Sequence, residues 1–408
     1  MVRQEPRVLV TDAENRSALA TCRGLAAAGY RISTVSDTRL APGHWSRFSK
    51  EQIMLARPAA DPEGYVEGLS QVLRRGEYDL VVPGTELSLL PISERRGLIE
   101  PYTNLGLPPH EVVLRALDKP LLHRQAAAVG LAPPRSVICS NNEEIFAAAR
   151  ELGLPLLVKP ARSVTWTAER ARQQTASVVE DASHLEATCT AVGVPLMLQE
   201  YVSRAAIISC AAVRVDGQLR GLTFARYART YPSQVGSAAM AVTIAPPSSL
   251  IQQVKELLDL IRWYGIFELE LLELGENRFG AIDLNPRPFG WMALAIGAGA
   301  NLPALWCDHV LRRRSVSPDG ARVGIRYRWE DADIRNALAQ LRRGRLRSTA
   351  AMLRPHKRVV HAHFRIDDPV PLGVQMLSLA CEAYRKSIRG DTYAPTVGPH
   401  IEPGRTTL

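Results

Sequence analysis

Residues 267–287, FELELLELGENRFGAIDLNPR, place five carboxylates and two asparagines in two short apolar runs separated by a turn. The period of two in a strand puts Glu268, Glu270 and Leu272 on one face of the first run. In the second run Ala281, Asp283, Asn285 and Arg287 share a face, with Ile282 and Leu284 on the other. With Glu276 and Asn277 at the centre of the turn, Glu270 lies opposite Asp283 and Glu268 opposite Asn285. Two carboxylates and an amide oxygen on rigid strands form a hard oxygen shell of the kind magnesium takes when it already carries phosphate oxygens. Either Glu268 or Glu270 supplies the first ligand, and Glu270 faces Asp283. The competing reading is a solvated strand edge. Asp283, Asn285 and Arg287 in strict alternation favour a site, because a solvated edge has no need of that order.

The surrounding chain must hold this hairpin. RVLVTD (7–12) and RISTVS read as strands with a helical segment between them, and a helix from Asp61 to Gly76 leads into the strand YDLVVPG. Strand and helix alternating in this way predict a parallel sheet with right-handed crossovers. No GxGxxG follows the first strand, so the sequence does not support a dinucleotide site. Asp12, Ser36 and Glu86 fall at strand ends, where such sheets bind ligands; ordinary turn chemistry explains each equally well. Farther on, LDKPLLHRQAAAVGLAPP starts a helix with Pro120 in its first turn, NEEIFAAARELG is a second helix, and LPLLVKP and PLMLQEYV are strands. No internal repeat is evident.

These segments resemble, in order, the motifs of the ATP-grasp superfamily. IDLNPR is similar to the signature E-x-N-x-R, with Asp283 where the family usually has glutamate. LDKPLLHR resembles the segment of the first nucleotide lysine, here Lys119, and LPLLVKP the strand of the second, here Lys159. MLQEYV resembles the adenine hinge, which maps onto Gln199, Glu200, Tyr201 and Val202. RYARTYPSQVGS resembles the basic segment before the metal strands, with Arg226 and Arg229 as candidates. The resemblance covers about residues 110–305.

It implies an α/β and α+β protein: an N-terminal open parallel α/β domain (1–108), a two-lobed ATP-grasp domain (109–310) and a basic helical C-terminal segment (311–408). It further implies a ligase that uses ATP and Mg²⁺ or Mn²⁺ to activate a carboxylic acid as an acyl phosphate for attack by an amine. The acid and amine would be amino acids or a peptide or glycan precursor. Lys119, Lys159 and Glu200 would hold nucleotide, Glu270, Asp283 and Asn285 the metal. Arg287 would stabilise the migrating phosphoryl group, and Arg226 or Arg229 the acid. The alternatives are a carboxylase or carbamoylating enzyme of the same fold, and a nucleotide-binding module that has lost catalysis. One departure bears on the last: the stretch after Lys159, ARSVTWTAERARQQTASVV, has no glycine, leaving Ser163, Thr165 and arginines for a lid over the phosphates. No GxxxxGK[ST] occurs, so phosphates would rest on lysines rather than on a glycine-rich nest.

The bulk numbers set limits. At 408 residues two or three domains are expected. Six well-separated cysteines without a CxxC predict a reducing compartment rather than a disulfide framework or zinc site. No apolar run reaches the ~20 residues of a membrane span, and the first residues lead straight into a strand, so the expected location is the cytoplasm. From Leu311 onward 19 Lys and Arg face 9 Asp and Glu, so the net charge of +9 belongs to the C-terminal segment. That segment reads as a solvated helical subdomain, a peripheral contact with anionic membrane, or a surface for a large anionic substrate. Nucleic acid is disfavoured by few aromatics and no recognition motif. His361 and His363, in HAHF, lack a third ligand nearby in sequence and read as structural.

Overall fold

The computed structural model describes residues 5–160, 164–166, 171–173, 176–203, 205–232, 235–275, 277–315, 320–353 and 358–389. Its first unit is a four-stranded parallel sheet in the order β3-β2-β1-β4. The strands are β1 (Arg7–Val10), β2 (Arg31–Ser36), β3 (Ser49–Met54) and β4 (Leu80–Val82), interleaved with α1 (Arg16–Ala27) and α2 (Pro62–Arg75). The helix α3 (Glu86–Glu94) follows β4. Asp61 caps α2 by accepting from the Gly64 N–H at 2.9 Å, with Pro62 opening the helix. β3, SKEQIM, was not legible as a strand. It is an edge strand with charged, mostly exposed side chains and lacks an apolar alternation.

After α4 (His110–Leu117) and α5 (Lys119–Ala128) comes a smaller antiparallel sheet in the order β5-β10-β6-β9. It comprises β5 (Ser136–Cys139), β6 (Leu156–Pro160), β9 (Ser177–Val179) and β10 (Leu196–Glu200), backed by α6 (Asn142–Leu152) and α7 (Ala182–Val192). A hairpin of β7 (Val164–Trp166) and β8 (Ala171–Gln173) lies between β6 and β9. Ser163 and part of the lid stretch lie outside the described residues. This lobe contains a repeat that inspection of the sequence missed. Asn141 and Asp181 cap α6 and α7 alike, and Gly153 and Gly193 end them, both at φ 77°. A cis-proline then leads each unit into its strand. The strands pair antiparallel about Val158 and Leu198, so the two units are related by a local two-fold. Only capping residues, glycine, proline and apolar pattern are shared, which is why the sequences do not look alike.

The larger lobe is a seven-stranded sheet in the order β15-β14-β11-β12-β13-β16-β17. Its strands are β11 (Ala206–Val215), β12 (Gln218–Tyr231), β13 (Ser237–Ile244), β14 (Gly265–Glu273), β15 (Phe279–Asn285), β16 (Arg326–Arg328) and β17 (Val359–His361). One face packs on α4, α5 and α8 (Ser248–Ile261) through Phe224, Phe267, Leu269 and Leu271, all buried. The other meets α9 (Met292–Gly297), α10 (Leu302–Val310) and Ala20 of α1 through Ala211, Val213, Phe289 and Trp291. The C-terminal segment is helical as expected, with α11 (Glu330–Arg342), α12 (Leu346–Leu353) and α13 (Val370–Arg389). It also lends β16 and β17 to the sheet, so no structural boundary falls at residue 310. Buried Arg23 of α1 holds Asp368 at 2.9 Å and the His363 carbonyl at 2.8 Å, fastening that segment to the N-terminal domain. All six cysteines are free, five of them buried. Among the described residues no helix is long and apolar enough to cross a membrane.

Candidate active site

The hairpin at residues 265–285 has the register its sequence implies. Glu268 pairs with Asn285 and Glu270 with Asp283 across β14 and β15. A bulge at Ile282 then makes Leu271 the partner of Ala281. Ala281 is therefore not on the acid face, as strict alternation required, but in the core with Leu269, Leu271 and Leu284. The chain leaving α5 runs along this edge: the Ala281 N–H donates to the Leu131 carbonyl at 3.0 Å. A Cβ on Gly280 would stand 2.7 Å from the Ala132 carbonyl oxygen, so only glycine fits that approach.

The two glutamates of β14 have different tasks. Glu268 is 3% exposed and its carboxylate accepts from Ser209 (2.8 Å), Tyr227 (2.9 Å), the Trp291 indole N–H and the Asn285 amide (3.2 Å). Among the described residues the hydrogen-bond partner of Glu270 is the Tyr227 hydroxyl, at 2.9 Å, whose single proton it shares with Glu268. Burial, then the charges of Glu268 and Asp283, push its carboxyl up to about 8. A carboxyl in that condition is short of positive charge. Asp283 is paired with Lys119, which is nearly buried at the start of α5. Asp118 caps that helix through the Leu121 N–H at 2.8 Å and so fixes where Lys119 emerges.

Lys159, on β6, is buried and donates to the side-chain oxygen of Gln199 at 2.8 Å. Burial, followed by repulsion from Lys119, brings its ammonium down to about 8. Both lysines also act on His123 of α5, which burial and their charges hold at about 4, hence neutral. Lys119, Lys159, Asp283 and Glu270 thus share one electrostatic neighbourhood. Glu200 ends β10 half-exposed, 3.6 Å from Arg135, and Tyr201 and Val202 follow it half-buried on the same edge.

Arg287 reaches across to the N-terminal domain. Its guanidinium donates to Glu86 at 3.0 Å and to the Asn285 side-chain oxygen at 2.9 Å, and among the described residues its buried Nε has no partner. Glu86, at the start of α3, is 3% exposed. A chain of contacts therefore runs from Glu268 through Asn285 and Arg287 to Glu86. Asp12, also named from sequence, is saturated by Thr11, Gly84, Thr85 and Ser88 and shapes the loop that carries Glu86. Ser36 donates to Glu14 at 2.7 Å, and burial together with Asp12 pushes the Glu14 carboxyl up to about 7.

The other two arginines are not brought to the acids. Arg226 makes two bonds to Glu273, at 2.6 and 3.0 Å, alongside the core residues Phe224 and Leu271, on the face opposite Glu268 and Glu270. Arg229 forks onto buried Asp333, at 2.8 Å to each oxygen, and ties β12 to α11. His361 and His363 lie against Glu330, at 3.4 and 3.7 Å, so a third group is present after all; all three hold the last turn of the sheet together. Among the described residues no cluster of three or more His, Cys, Asp or Glu side chains is arranged to enclose a metal by itself. Sequence reading missed Glu14, Ser209, His123, Tyr227 and Trp291. Tyr227 lay in the quoted segment beside Arg226, and alternation between the two was the available signal.

No family model matches the chain. One curated relative, D-alanine–D-alanine ligase of Cupriavidus necator, is 31% identical over 140 residues, and the match spans 31% of this chain and 40% of that protein. Solved structures align over far more. N5-carboxyaminoimidazole synthetase from Staphylococcus aureus, complexed with ADP, covers 79% of this chain and 80% of its own at 13% identity and a TM-score of 0.60. The biotin carboxylase domain of Hydrogenobacter thermophilus 2-oxoglutarate carboxylase, with MgADP and bicarbonate, covers 78% and 73% at 14% identity and 0.61. L-amino acid ligase from Bacillus licheniformis covers 77% and 76% at 13% identity and 0.59. The chain has the ATP-grasp fold.

Proposed function

We propose that the protein is an ATP- and magnesium-dependent ligase that joins a carboxylic acid to an amine. The observation that carries this reading is the pairing of Glu270 with Asp283 across two strands, beside Lys119 and within the field of Lys159. The residues fit the groups they would hold. Glu270 is short of positive charge, and with Asp283 and the Asn285 amide it offers the hard oxygen donors magnesium or manganese takes alongside phosphate. Among the described residues the hydrogen-bond partner of Lys159 is the neutral Gln199 amide, so a phosphate would restore its full charge. Gln199, Glu200, Tyr201 and Val202 line the strand end where adenosine would rest. Bound magnesium would supply Lewis-acid shielding of phosphate charge.

The reaction is a phosphoryl transfer followed by acyl transfer. A carboxylate oxygen of the acid attacks the γ-phosphorus, the β–γ bridging bond breaks, and ADP leaves. The amine nitrogen attacks the acyl carbon, gives up a proton and expels phosphate, leaving an amide. Arg287 is placed to neutralise the migrating phosphoryl group, an electrostatic role needing no covalent bond to the protein. Glu14 and Glu86, at the strand ends of the N-terminal domain, are the acids an incoming amine would meet. Arg226 and Arg229, already committed to Glu273 and Asp333, take no part in this scheme.

The test is release of ADP and phosphate from Mg-ATP against pooled amino acids, small carboxylic acids and bicarbonate, with Lys159→Ala and Arg287→Ala as controls. The expected result is release that requires one acid and one amine and disappears in both variants. Release requiring bicarbonate and an acceptor instead would make the protein a carboxylase. Absence of ATP binding would falsify the catalytic reading.

A further inference from the structure

A groove of about 650 Å³ lies where the linker between the N-terminal and ATP-grasp domains meets the end of α10, and it shares no residue with the acid cluster. Its floor and walls are aromatic. Trp306 stacks on His309 with ring centroids 5.7 Å apart and 18° between planes, and Tyr264 meets Trp306 at 6.3 Å. Its rim is cationic. Among the described residues the Arg312 guanidinium makes no hydrogen bond or ion pair. Arg313 leaves its Nη1 without a hydrogen bond, 3.9 Å from Asp308. Asp308 is not free to repel an anion: it accepts from Tyr30 at 2.7 Å and faces Arg313.

Two backbone features border this groove. Arg312, just past α10, takes the left-handed conformation (φ 51°) of a helix end, closed by the Arg313 N–H donating to the Asp308 carbonyl at 2.7 Å. Gly106, at φ 58°, lets the linker lie against Trp306; a Cβ there would stand 3.2 Å from the indole nitrogen and 2.9 Å from Val310. Between the groove and Arg287 runs an apolar cleft of about 20 Å³, lined by Leu107, Tyr264, Trp306 and Pro286 among others. That is room for about one water molecule, so the two places share a wall and no passage for substrate.

We infer that this groove is a second ligand site, taking a small planar ring that bears a carboxylate or phosphate. The ring lies along the Tyr264–Trp306–His309 wall, and the anion is held by Arg312 and Arg313. Aromatic side chains next to an Arg312 guanidinium with no partner among the described residues, and to Arg313 held between Asp308 and the Tyr30 ring, are what such a molecule needs, and the volume falls within the range of small-molecule sites. The ligand would touch both the interdomain linker and α10, so its binding would be felt at the wall behind Arg287.

Isothermal titration of the full chain with phenyl phosphate and with indole-3-acetate tests this, with inorganic phosphate as the ring-free control. One-to-one binding is expected, weakened about tenfold or more by Arg312→Glu and by His309→Ala, with Lys159→Ala unaffected. Arg312→Glu should keep the wild-type melting temperature, since that side chain holds nothing in the fold. No binding of either probe overturns the inference. So does binding untouched by Arg312→Glu, or binding lost in Lys159→Ala, which would place the probe at the nucleotide lysines. The readout is binding and not turnover, so it stands or falls separately from the ligase reading.

Discussion

Two groups of buried and half-buried carboxylates face each other through Arg287, one at the strand ends of the N-terminal domain and one on β14 and β15. Each contains a saturated member and an under-served one. Asp12 and Glu268 accept from several donors apiece, and these bonds fix a loop and a strand. Glu14 accepts from Ser36 and Asn15 and Glu270 meets the Tyr227 hydroxyl, and their carboxyls are pushed up to about 7 and about 8. The nearby cations are taken by other acids. Glu86 has Arg287 and Asp283 has Lys119, which leaves Glu14 and Glu270 to be neutralised from outside. Saturated acids hold the fold; in the proposed ligase, Glu270 would take its counter-charge from bound metal.

Glu270→Gln is the sharpest way to break this comparison. It keeps the shape and the bond to Tyr227 but removes the charge, so magnesium-dependent ADP formation should fall about a thousandfold. The melting temperature should move little, since the carboxyl is held largely protonated already. Equal activity in the variant would remove Glu270 from the metal set. Glu268→Leu should do the reverse at the level of folding. It strands the donors of Ser209, Tyr227 and Trp291, at a cost of about 2–3 kcal/mol in urea denaturation. A loss below that of Glu270→Gln would mean the two roles are exchanged.

Glu14 sharpens the comparison through pH. Its folded pKa lies above the unfolded value of 4.5, so the native state binds more protons between the two, and stability falls as pH rises from about 5 to about 7. Glu14→Gln should flatten that slope in melts taken across this window, and a slope unchanged in the variant would assign it to other groups. The smallest effect belongs to Arg226→Ala. Its pair with Glu273 is part-exposed and on the other face of the sheet, so turnover should stay within about twofold and stability within about 1 kcal/mol. A loss of turnover as large as that of Glu270→Gln would bring Arg226 back to the chemistry.

What the sequence carried was local. The strand period and the turn determined which residues of β14 and β15 oppose each other, and the caps at Asp61, Asp118, Asn141 and Asp181 determined where helices begin. These depend on neighbours in the chain, and so residue types suffice to read them. The order of Lys119, Lys159, Gln199 and Arg287 was legible too, though not their convergence. Tertiary structure decided the rest. It set the bulge that turned Ala281 into the core, the pairing of Arg226 and Arg229 with Glu273 and Asp333, and the bond from Arg287 to Glu86, 201 positions away in the chain. It also decided which glutamate gathers several donors, because hydrogen bonds from Ser209, Tyr227 and Trp291 come from three separate segments. Desolvation and pairing are properties of a packed environment, and no window of sequence contains it.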